Sequence, residues 1–452
     1  SAIVDDALEC AKNIIAKDVC REAVLFAGGG NLLSFVPNTK SRMDSLVKSI
    51  ESGIKDISKG GLSAAVITFE APLDTVGGKF GDVLQDSQDL LQAKKNRNRE
   101  KKTVPNTRTV CGYCFKREKP DSFEMCAVCK IKNDIGNLER SEISTKYVPD
   151  ARGLQRPTEL THIGNSIAAI VIDGNMMGRM FQQTTTPAEY TYKSHRFASK
   201  FDGIIKSTIN DFIKDPDNRP LIANRIGNDE YIGIDVLYSG GDDVLIIMNA
   251  KGAVQFAETL VNNVAEQFTF ETEFHDGSTF KNPIVTISCG IAIADSKFPI
   301  HFLLNAARNM ESKAKEQFRK NTTTDNFDII QIPKGAIAIT AISSAMPSNE
   351  FSTFVLENDD IGNNNLLKLN NMIDFALNKD RTLISDIITC GTSEHERLNL
   401  IKYMYSSIQR KTRDIGLDDC EWMADVLLND EVLNASKMII PHLWHDNEEG
   451  RI

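Results

Sequence analysis

Adjacent carboxylates are the first feature of this sequence that can do chemistry. Asp242 and Asp243 follow a Gly-Gly pair and precede an apolar run, and two anions so close together repel each other unless a cation lies between them. A third carboxylate, Asp173, ends another apolar run at residues 167–172. If the two runs are neighbouring strands, three oxygen ligands meet at one edge of a sheet and can hold two Mg²⁺ or Mn²⁺ ions about 3.5–4 Å apart. Acidic residues are also common in turns without any metal, but that explanation does not account for Asp173.

Four cysteines form two Cys-x-x-Cys pairs separated by 11 residues: Cys111, Cys114, Cys126 and Cys129. Four thiolates at this spacing can close a tetrahedron around one Zn²⁺, and a site with all four positions filled is structural rather than catalytic. A redox role is the weaker alternative, since a redox Cys-x-x-Cys pair normally opens a helix of a thioredoxin-like unit. The other five cysteines are scattered through apolar segments, which favours reduced thiols over a disulfide framework.

The residues around Asp242 and Asp243 repeat an earlier part of the chain. Residues 24–36 align with residues 236–248 without a gap, and each segment contains an apolar strand, a glycine turn and a second apolar strand, which predicts a tight β-hairpin. After each hairpin the sequence predicts a helix, a strand and a second helix, at 41–57, 64–69 and 80–95 in the first copy and at 253–268, 284–293 and 300–320 in the second. This order predicts two tandem α/β units, with helices on one face of a sheet that contains antiparallel strands.

Two segments differ in kind from the repeats. The polar residues 97–152 include the four paired cysteines, so we interpret them as an insert stabilised by metal rather than by a core. From residue 363 onward apolar side chains recur at helical spacing, which predicts a C-terminal helical bundle; its start is indistinct because residues 335–343 are strand-like. The predicted domains are a first α/β unit (1–96), an insert with its linker (97–160), a second α/β unit (161–345) and a helical domain (346–452).

Composition sets broad limits on the class of protein. The chain has 452 residues, 41% hydrophobic and 25% charged, which favours several globular domains and excludes collagen-like and wholly disordered proteins. No run reaches the roughly 18 apolar residues of a membrane span, and the N-terminus lacks the order of a signal peptide, so we expect a soluble cytoplasmic protein with no membrane partner. The net charge is −10, but residues 94–119 contain ten Lys or Arg against two Glu. This basic stretch is either a solvated surface or a contact for RNA.

A resemblance to a known family rests on an ordered set of motifs. Residues 238–244, Tyr-Ser-Gly-Gly-Asp-Asp-Val, resemble the GGDD signature of the large polymerase-palm subunit of type III CRISPR effector complexes. Residues 173–178 resemble the first palm motif of that family, residues 287–290 its later Ser-x-Gly strand, and Lys315 the helical lysine that approaches the triphosphate. The family also has a degenerate first palm with a GGG-type hairpin, as at residues 28–31, and a four-cysteine zinc site between the two palms.

This resemblance implies the fold. It predicts two tandem ferredoxin-like palm domains of the nucleotide cyclase or GGDEF type, with the zinc-binding insert between them and the helical bundle after them. Gly30 and Asn31 stand in the first hairpin where Asp242 and Asp243 stand in the second, so the first palm is degenerate and cannot hold metal. We expect it instead to form one wall of a nucleotide pocket between the palms.

The resemblance also implies an activity. It predicts a nucleotidyltransferase that makes cyclic oligoadenylate from ATP when target RNA is bound, with two catalytic Mg²⁺ or Mn²⁺ ions and one structural Zn²⁺. Asp173, Asp242 and Asp243 are then the catalytic metal ligands, and the nucleotide-binding residues are Gly174, Asn175, Gly240, Gly241, Ser288 and Lys315. The implied partners are other subunits of a CRISPR RNA-guided complex, including a small helical subunit at the C-terminal bundle, together with CRISPR RNA and target RNA.

The sequence departs from the family at two points. Asn175 stands where the family often has an acid, which puts one auxiliary contact in doubt. The histidine-aspartate nuclease domain that commonly begins family members is not visible. The dipeptides at 275–276 and 445–446 are His-Asp, but neither has the further His and Asp at helical positions that such a metal site requires, so we assign both to ordinary surface positions.

Two other functions remain open. A stand-alone diguanylate or nucleotide cyclase of the GGDEF type would perform similar chemistry, although Asp243-Val244 stands where Glu-Phe is usual and no Arg-x-x-Asp inhibitory site precedes the hairpin. A catalytically silent scaffold of a ribonucleoprotein would bind ATP or RNA without turnover. The intact Asp-Asp pair opposes this alternative, since a scaffold has no need of mutually repelling carboxylates.

Overall fold

The computed structural model describes the chain except residues 1, 98–109, 115–116, 120–123, 274–278, 284, 325–329, 344–349, 358–364, 379–380, 392, 411–415 and 445–452. The helices are α1 (Ala2–Asp18), α2 (Lys40–Ile57), α3 (Leu73–Gly78), α4 (Phe80–Arg97), α5 (Ala127–Tyr147), α6 (Leu160–Ile163), α7 (Met177–Gln182), α8 (Pro187–Lys214), α9 (Arg219–Ile222), α10 (Ala253–Gln267), α11 (Ile300–Asn321), α12 (Asn365–Asn378), α13 (Arg381–Thr389), α14 (Glu394–Arg410), α15 (Leu417–Leu427) and α16 (Asp430–Trp444). The strands are β1 (Val24–Gly28), β2 (Asn31–Ser34), β3 (Ser166–Asn175), β4 (Ala223–Ile226), β5 (Asp229–Ile232), β6 (Ile234–Gly240), β7 (Asp243–Asn249), β8 (Thr269–Glu273), β9 (Thr279–Pro283), β10 (Thr286–Asp295), β11 (Thr323–Thr324), β12 (Ile330–Gln331), β13 (Gly335–Ala341) and β14 (Ser352–Leu356).

The chain divides into two compact units. The smaller unit contains residues 1–146, 176–202 and 240–242, and the larger unit contains residues 147–175, 203–239 and 243–452. No helix among the described residues is long and apolar enough to cross a membrane. The domain boundaries that the sequence suggests remain predictions.

The smaller unit contains the hairpin and helices of the first repeat. β1 and β2 are antiparallel and are joined by Gly29 and Gly30, which both have positive φ, as a type I′ turn requires. The strand predicted at 64–69 does not form, since these residues have no regular secondary structure. Ala64 and Val66 instead pack against the core between α1 and α2. The apolar run is therefore accommodated by packing against these helices, without strand pairing among the described residues.

The insert contains a helix that the sequence did not predict. α5 has 21 residues and begins directly after Cys126. Its mostly polar sequence gives no clear apolar stripe, so periodicity could not identify it. Most of the basic stretch lies outside the described residues. Within the described part, Lys94 forms a 3.0 Å ion pair with Glu51, so this side chain is held by its own unit.

The larger unit is built on a six-stranded mixed sheet. The strand order is β14-β13-β10-β3-β7-β6. β3 is antiparallel to both β7 and β10, whereas β10 is parallel to β13. The strands and helices predicted for the second repeat are all present, and the strand-like run from residue 335 onward is β13 in the same sheet. The α/β class and the C-terminal helices are confirmed, and the repeat is complete only in its second copy among the described residues.

The central strands of this sheet are buried on both faces. Every residue of β13 and all but the last residue of β10 are buried, and α10, α11 and α16 all contact these two strands. The sequence predicted helices on one face of the sheet, whereas the structure covers both faces of its central strands. Amphipathic spacing in α16 predicts a helix but cannot tell which surface the helix covers. A 2.6 Å hydrogen bond from Ser166 Oγ to the His442 carbonyl also joins β3 to α16.

Candidate metal and nucleotide site

The second hairpin presents its two carboxylates by means of a tight turn. β6 ends at Gly240 and β7 begins at Asp243, so the loop consists of Gly241 and Asp242. Gly241 has a φ of +71°, and a positive φ at the first of two loop residues is typical of a type II′ hairpin. Glycine adopts this conformation without steric cost, which explains why the carboxylates come after the glycines and not among them.

The register of β3 brings the third carboxylate to the same edge. Ile172 pairs with Val244, so Asp173 continues β3 next to the point where Asp243 begins β7. One carboxylate oxygen from each of Asp173, Asp242 and Asp243 lies within 4.8 Å of the other two. Three hard oxygen donors at this separation fit divalent cations such as Mg²⁺ or Mn²⁺. The juxtaposition predicted from the sequence is therefore present.

A lysine ammonium lies among these carboxylates. Lys315 Nζ contacts Asp173 Oδ2 and also forms a 3.1 Å ion pair with Glu311 Oε1. Burial lowers the pKa of Lys315, but hydrogen bonding and the negative charges of Asp173 and Glu311 outweigh it and raise that pKa above its ordinary value. Loss of hydration, followed by the charge of Asp173, raises the pKa of Asp243 to about 6, although Lys315 opposes the shift. The site thus holds more negative charge than the protein's own cation compensates.

Close packing of α11 against β10 positions this lysine. Gly290 lies in β10, where an added Cβ would be 2.1 Å from Glu311 N and 2.2 Å from the Ala307 carbonyl oxygen. Only glycine allows the helix backbone to approach the strand so closely. We therefore assign the glycine of the Ser-x-Gly motif to helix packing. Lys313, a second basic residue of α11, instead pairs with Glu316 at 3.5 Å.

Asn175 and Ser288 form a buried polar pair next to Asp173. Ser288 Oγ donates a 2.8 Å hydrogen bond to Asn175 Oδ1, and both residues are at most 5% exposed. The amide nitrogen Nδ2 of Asn175 has no hydrogen-bond partner among the described residues. Since a buried donor normally has a partner, this amide is suited to contact a bound group. The backbone then turns through Met176, which has a φ of +57°.

The structure brings together most of the residues predicted from the sequence. Asp173, Asp242, Asp243 and Lys315 meet directly, and Asn175 with Ser288 lies on the strands that carry Asp173. Gly174, Gly240 and Gly241 flank the carboxylates in the chain. The nucleotide-binding roles of all these residues stay predictions. Glu311 was missed, although a Glu four residues before Lys315 on a helix is a recognisable pairing signal.

The raised pKa of Asp243 predicts a pH-dependent stability of the protein without divalent cations. The pKa of Asp243 rises from 3.8 to about 6, so between these values the folded chain binds more protons than the unfolded chain. This stabilisation is present below about pH 4 and is lost as the pH rises through about 6. Asp243→Asn, which cannot ionise, should raise the melting temperature by about 2 °C at about pH 7.5 and leave it unchanged below about pH 4. Equal melting temperatures at both pH values would contradict this assignment.

The four paired cysteines converge in the smaller unit. One Sγ from each of Cys111, Cys114, Cys126 and Cys129 lies within 4.8 Å of the others, and Cys114 Sγ is 3.9 Å from Cys126 Sγ. A bridge between Val110 and Glu118 closes the first knuckle, and the second lies at the start of α5, whose first turn carries Cys129. The arrangement fits a tetrahedral zinc site of four thiolates.

Backbone N–H groups support thiolate ligands in this cluster. Cys126 N donates to Cys111 Sγ at 3.2 Å. Burial alone would raise the pKa of the Cys111 thiol, but hydrogen bonds from the backbone of Cys126, Cys114 and Tyr113 lower it to about 6. A thiolate is the form that binds zinc. Among the described residues, the cluster has few apolar neighbours besides Val128 and the cysteines themselves. A bound metal would therefore contribute much of its stability.

The segment that carries the three aspartates matches a known protein family. Residues 166–324 match the family model of the second palm domain of Cas10/Cmr2. The match includes β3, the GGDD hairpin, β10 and α11, and it agrees with the second palm domain that the motifs predict for this segment. A comparison with curated proteins finds no match.

The solved structures that match the chain are distant from it in sequence. The Csm1-Csm4 subcomplex of the type III-A CRISPR-Csm interference complex is 11% identical, with a TM-score of 0.48, and covers 95% of this chain and 65% of that chain. A Csm1-Csm4 cassette in complex with pppApApA is 12% identical, with a TM-score of 0.47, and covers 97% and 65%. Csm1 from T. onnurineus is 14% identical, with a TM-score of 0.41, and covers 69% and 47%. The chain therefore spans less than two thirds of the length of each.

Proposed function

Residues 166–324 are a second palm domain of the Cas10/Cmr2 family, and from this premise we propose that the chain is the nucleotidyltransferase subunit of a type III CRISPR complex. Its reaction would be the joining of ATP molecules into cyclic oligoadenylate. The observation that carries the proposal is the convergence of Asp173 with the Asp242-Asp243 pair, beside Lys315, within the segment that matches the family. The proposal thus rests on the site as well as on the family.

The carboxylates have the first role in the proposed mechanism. Asp173, Asp242 and Asp243 would hold two divalent cations at the edge of the sheet. When bound, such cations lower the pKa of a ribose hydroxyl and stabilise negative charge on an α-phosphate. The turn at Gly241 keeps Asp242 and Asp243 in place, so no large rearrangement of the hairpin is needed for them to act together.

The neighbouring side chains would orient the nucleotide. Lys315 carries a positive charge beside Asp173 and is suited to phosphate oxygens, to which its ammonium can donate. The unpartnered amide nitrogen Nδ2 of Asn175, whose side chain is fixed by Ser288, is suited to donate a hydrogen bond to a ligand acceptor atom. Holding two nucleotides in line would raise the reaction rate, because the reacting groups are already oriented and need not meet by diffusion.

The choice of nucleotide tests this proposal against the GGDEF alternative. With an equal mixture of ATP and GTP and added Mn²⁺, the purified chain should convert ATP to oligoadenylate, identified by mass spectrometry. Because the proposed complex would align the two substrates, the isolated chain should be slow. A dimeric cyclic product made from GTP would move the chain to the diguanylate cyclase class, and no product from either nucleotide, even with RNA and partners, would favour the silent scaffold.

Dependence on RNA is the second arm of the same test. A reconstituted CRISPR RNA complex with cognate target RNA should raise kcat more than it lowers KM, since alignment of bound substrates acts on the transition state. The matched control is the same complex with a non-complementary RNA. Turnover that is indifferent to both RNAs would contradict the proposed place of this chain in a ribonucleoprotein.

A further inference from the structure

Within the part of the chain that the structure describes, Glu311 is the one acidic residue in an ion pair with Lys315 that does not belong to the predicted metal ligands. It lies on α11 one turn before Lys315, and its side chain is only 13% exposed. Its Oε1 atom is 3.1 Å from Lys315 Nζ and, apart from this ion pair, has no hydrogen-bond partner among the described residues. Burial of a charged carboxylate costs free energy unless a nearby cation compensates its charge. The ion pair with Lys315 supplies that cation.

The backbone fixes Glu311 more firmly than it fixes Lys315. The Glu311 amide nitrogen lies against β10 at Gly290, where even a methyl group would not fit. Lys315 reaches the site through a flexible four-carbon chain, and its ammonium contacts two carboxylates, those of Asp173 and Glu311. Of these two partners, only Asp173 belongs to the carboxylates suited to divalent cations.

A divalent cation and the lysine ammonium therefore compete for Asp173. Both are positive, and the contact between Lys315 and Asp173 Oδ2 occupies an oxygen that a metal ion would use. Once a cation takes that oxygen, the ammonium must leave Asp173, and Glu311 is the carboxylate that can retain it. Without Glu311, Asp173 is the one ion-pair partner left to Lys315 among the described residues, and displacing the ammonium from it becomes harder.

We propose that Glu311 is a positioning residue that holds Lys315 in the site when a divalent cation displaces it from Asp173. The proposal rests on the proposed function, because it assumes that the three aspartates bind divalent cations. Glu311 would act through Lys315 and not as a metal ligand. Its effect would be to ease cation binding while keeping a positive charge available for phosphate.

Binding of Mn²⁺ without nucleotide tests the proposal, measured by electron paramagnetic resonance on the full-length chain. Removing the competitor with Lys315→Met should tighten Mn²⁺ binding, whereas Glu311→Gln should weaken it by about tenfold. The Glu311→Gln, Lys315→Met double variant should match Lys315→Met alone, because Glu311 has nothing left to hold. If Glu311→Gln weakens Mn²⁺ binding equally in both backgrounds, Glu311 acts directly on the ion and the proposal is overturned.

Two further variants control for fold and for charge. Glu316, on the same helix, pairs with Lys313 and Lys320, so Glu316→Gln removes a similar charge and should leave Mn²⁺ binding unchanged. Glu311→Asp keeps the charge but withdraws it by one methylene, and it should weaken Mn²⁺ binding in the same direction as Glu311→Gln. Unaltered binding in Glu311→Asp would contradict the proposal even if Glu311→Gln failed to fold.

The outcome is separable from failure of the proposed function. Titrating the Asp242→Ala, Asp243→Ala variant with Mn²⁺ measures how much Mn²⁺ binds outside the proposed site. If the wild-type chain binds no more Mn²⁺ than this variant, the proposed metal site itself is wrong. If the wild-type chain binds more but the effects of Glu311 and Lys315 are additive, only the role of Glu311 is wrong.

Discussion

Replacing Asp242 and Asp243 together by alanine should abolish nucleotide synthesis. The two carboxylates supply the charge that holds divalent cations against the reacting phosphates, and loss of such stabilisation lowers turnover by about 10³-fold or more. The fold should survive, since neither side chain is part of the buried core of the larger unit. Synthesis is measured as the formation of radiolabelled product from ATP, with the melting temperature recorded for each variant.

The first hairpin offers a matched control for this experiment. Asn31 begins β2 at the position that corresponds to Asp243 in the repeat, and its side chain is exposed. Asn31→Ala changes a similar polar residue in a similar turn but removes no proposed metal ligand, so activity should stay within about twofold of wild type. A double aspartate variant that retained a substantial fraction of wild-type turnover would contradict the metal assignment.

Cys126→Ser should release the one zinc ion that we expect in each chain. Cys126 is 2% exposed and lies beside both Cys111 and Cys114, so its loss opens the tetrahedron. Binding and folding are coupled in small metal modules, and the insert should therefore become sensitive to proteolysis. Zinc is measured by elemental analysis of the purified protein, and limited proteolysis reports on the insert.

A cysteine outside the cluster provides the control for the zinc experiment. Cys20 is exposed and belongs to neither Cys-x-x-Cys pair, so Cys20→Ser should keep a full equivalent of zinc. If zinc stayed at one equivalent after all four paired cysteines were replaced, the metal would have to lie elsewhere in the chain.

Much of the aspartate site could be predicted because each part follows from local sequence. The glycines before Asp242 predict a turn, the apolar runs predict the strands, and Asp173 ends one of those runs. Pairing of the strands then brings the carboxylates together. Glu311 could not be identified in the same way. A Glu and a Lys four residues apart also occur on exposed helix faces, and only the packing of α11 at Gly290 shows that this pair is partly buried.

One predicted element did not form and one helix was missed, for different physical reasons. Residues 64–69 form a short apolar run like that of a strand, but Ala64 and Val66 are accommodated by packing against the core of α1 and α2. α5 has a mostly polar sequence, so its helical period carries little apolar signal. The periodicity of apolar residues indicates which side chains are buried. It fails to predict secondary structure where a buried segment is irregular or where a helix is mostly exposed.

Crystals of the chain soaked with Mn²⁺ and α,β-methylene ATP, which cannot be cleaved at the bond that would react, would test the central claim most directly. Manganese scatters anomalously, so its positions can be located independently of any assumption about the ligands. We predict anomalous peaks within coordinating distance of Asp173, Asp242 and Asp243, next to the α-phosphate of the analogue. Manganese bound elsewhere, with these three carboxylates free of metal while the analogue is present, would contradict the account.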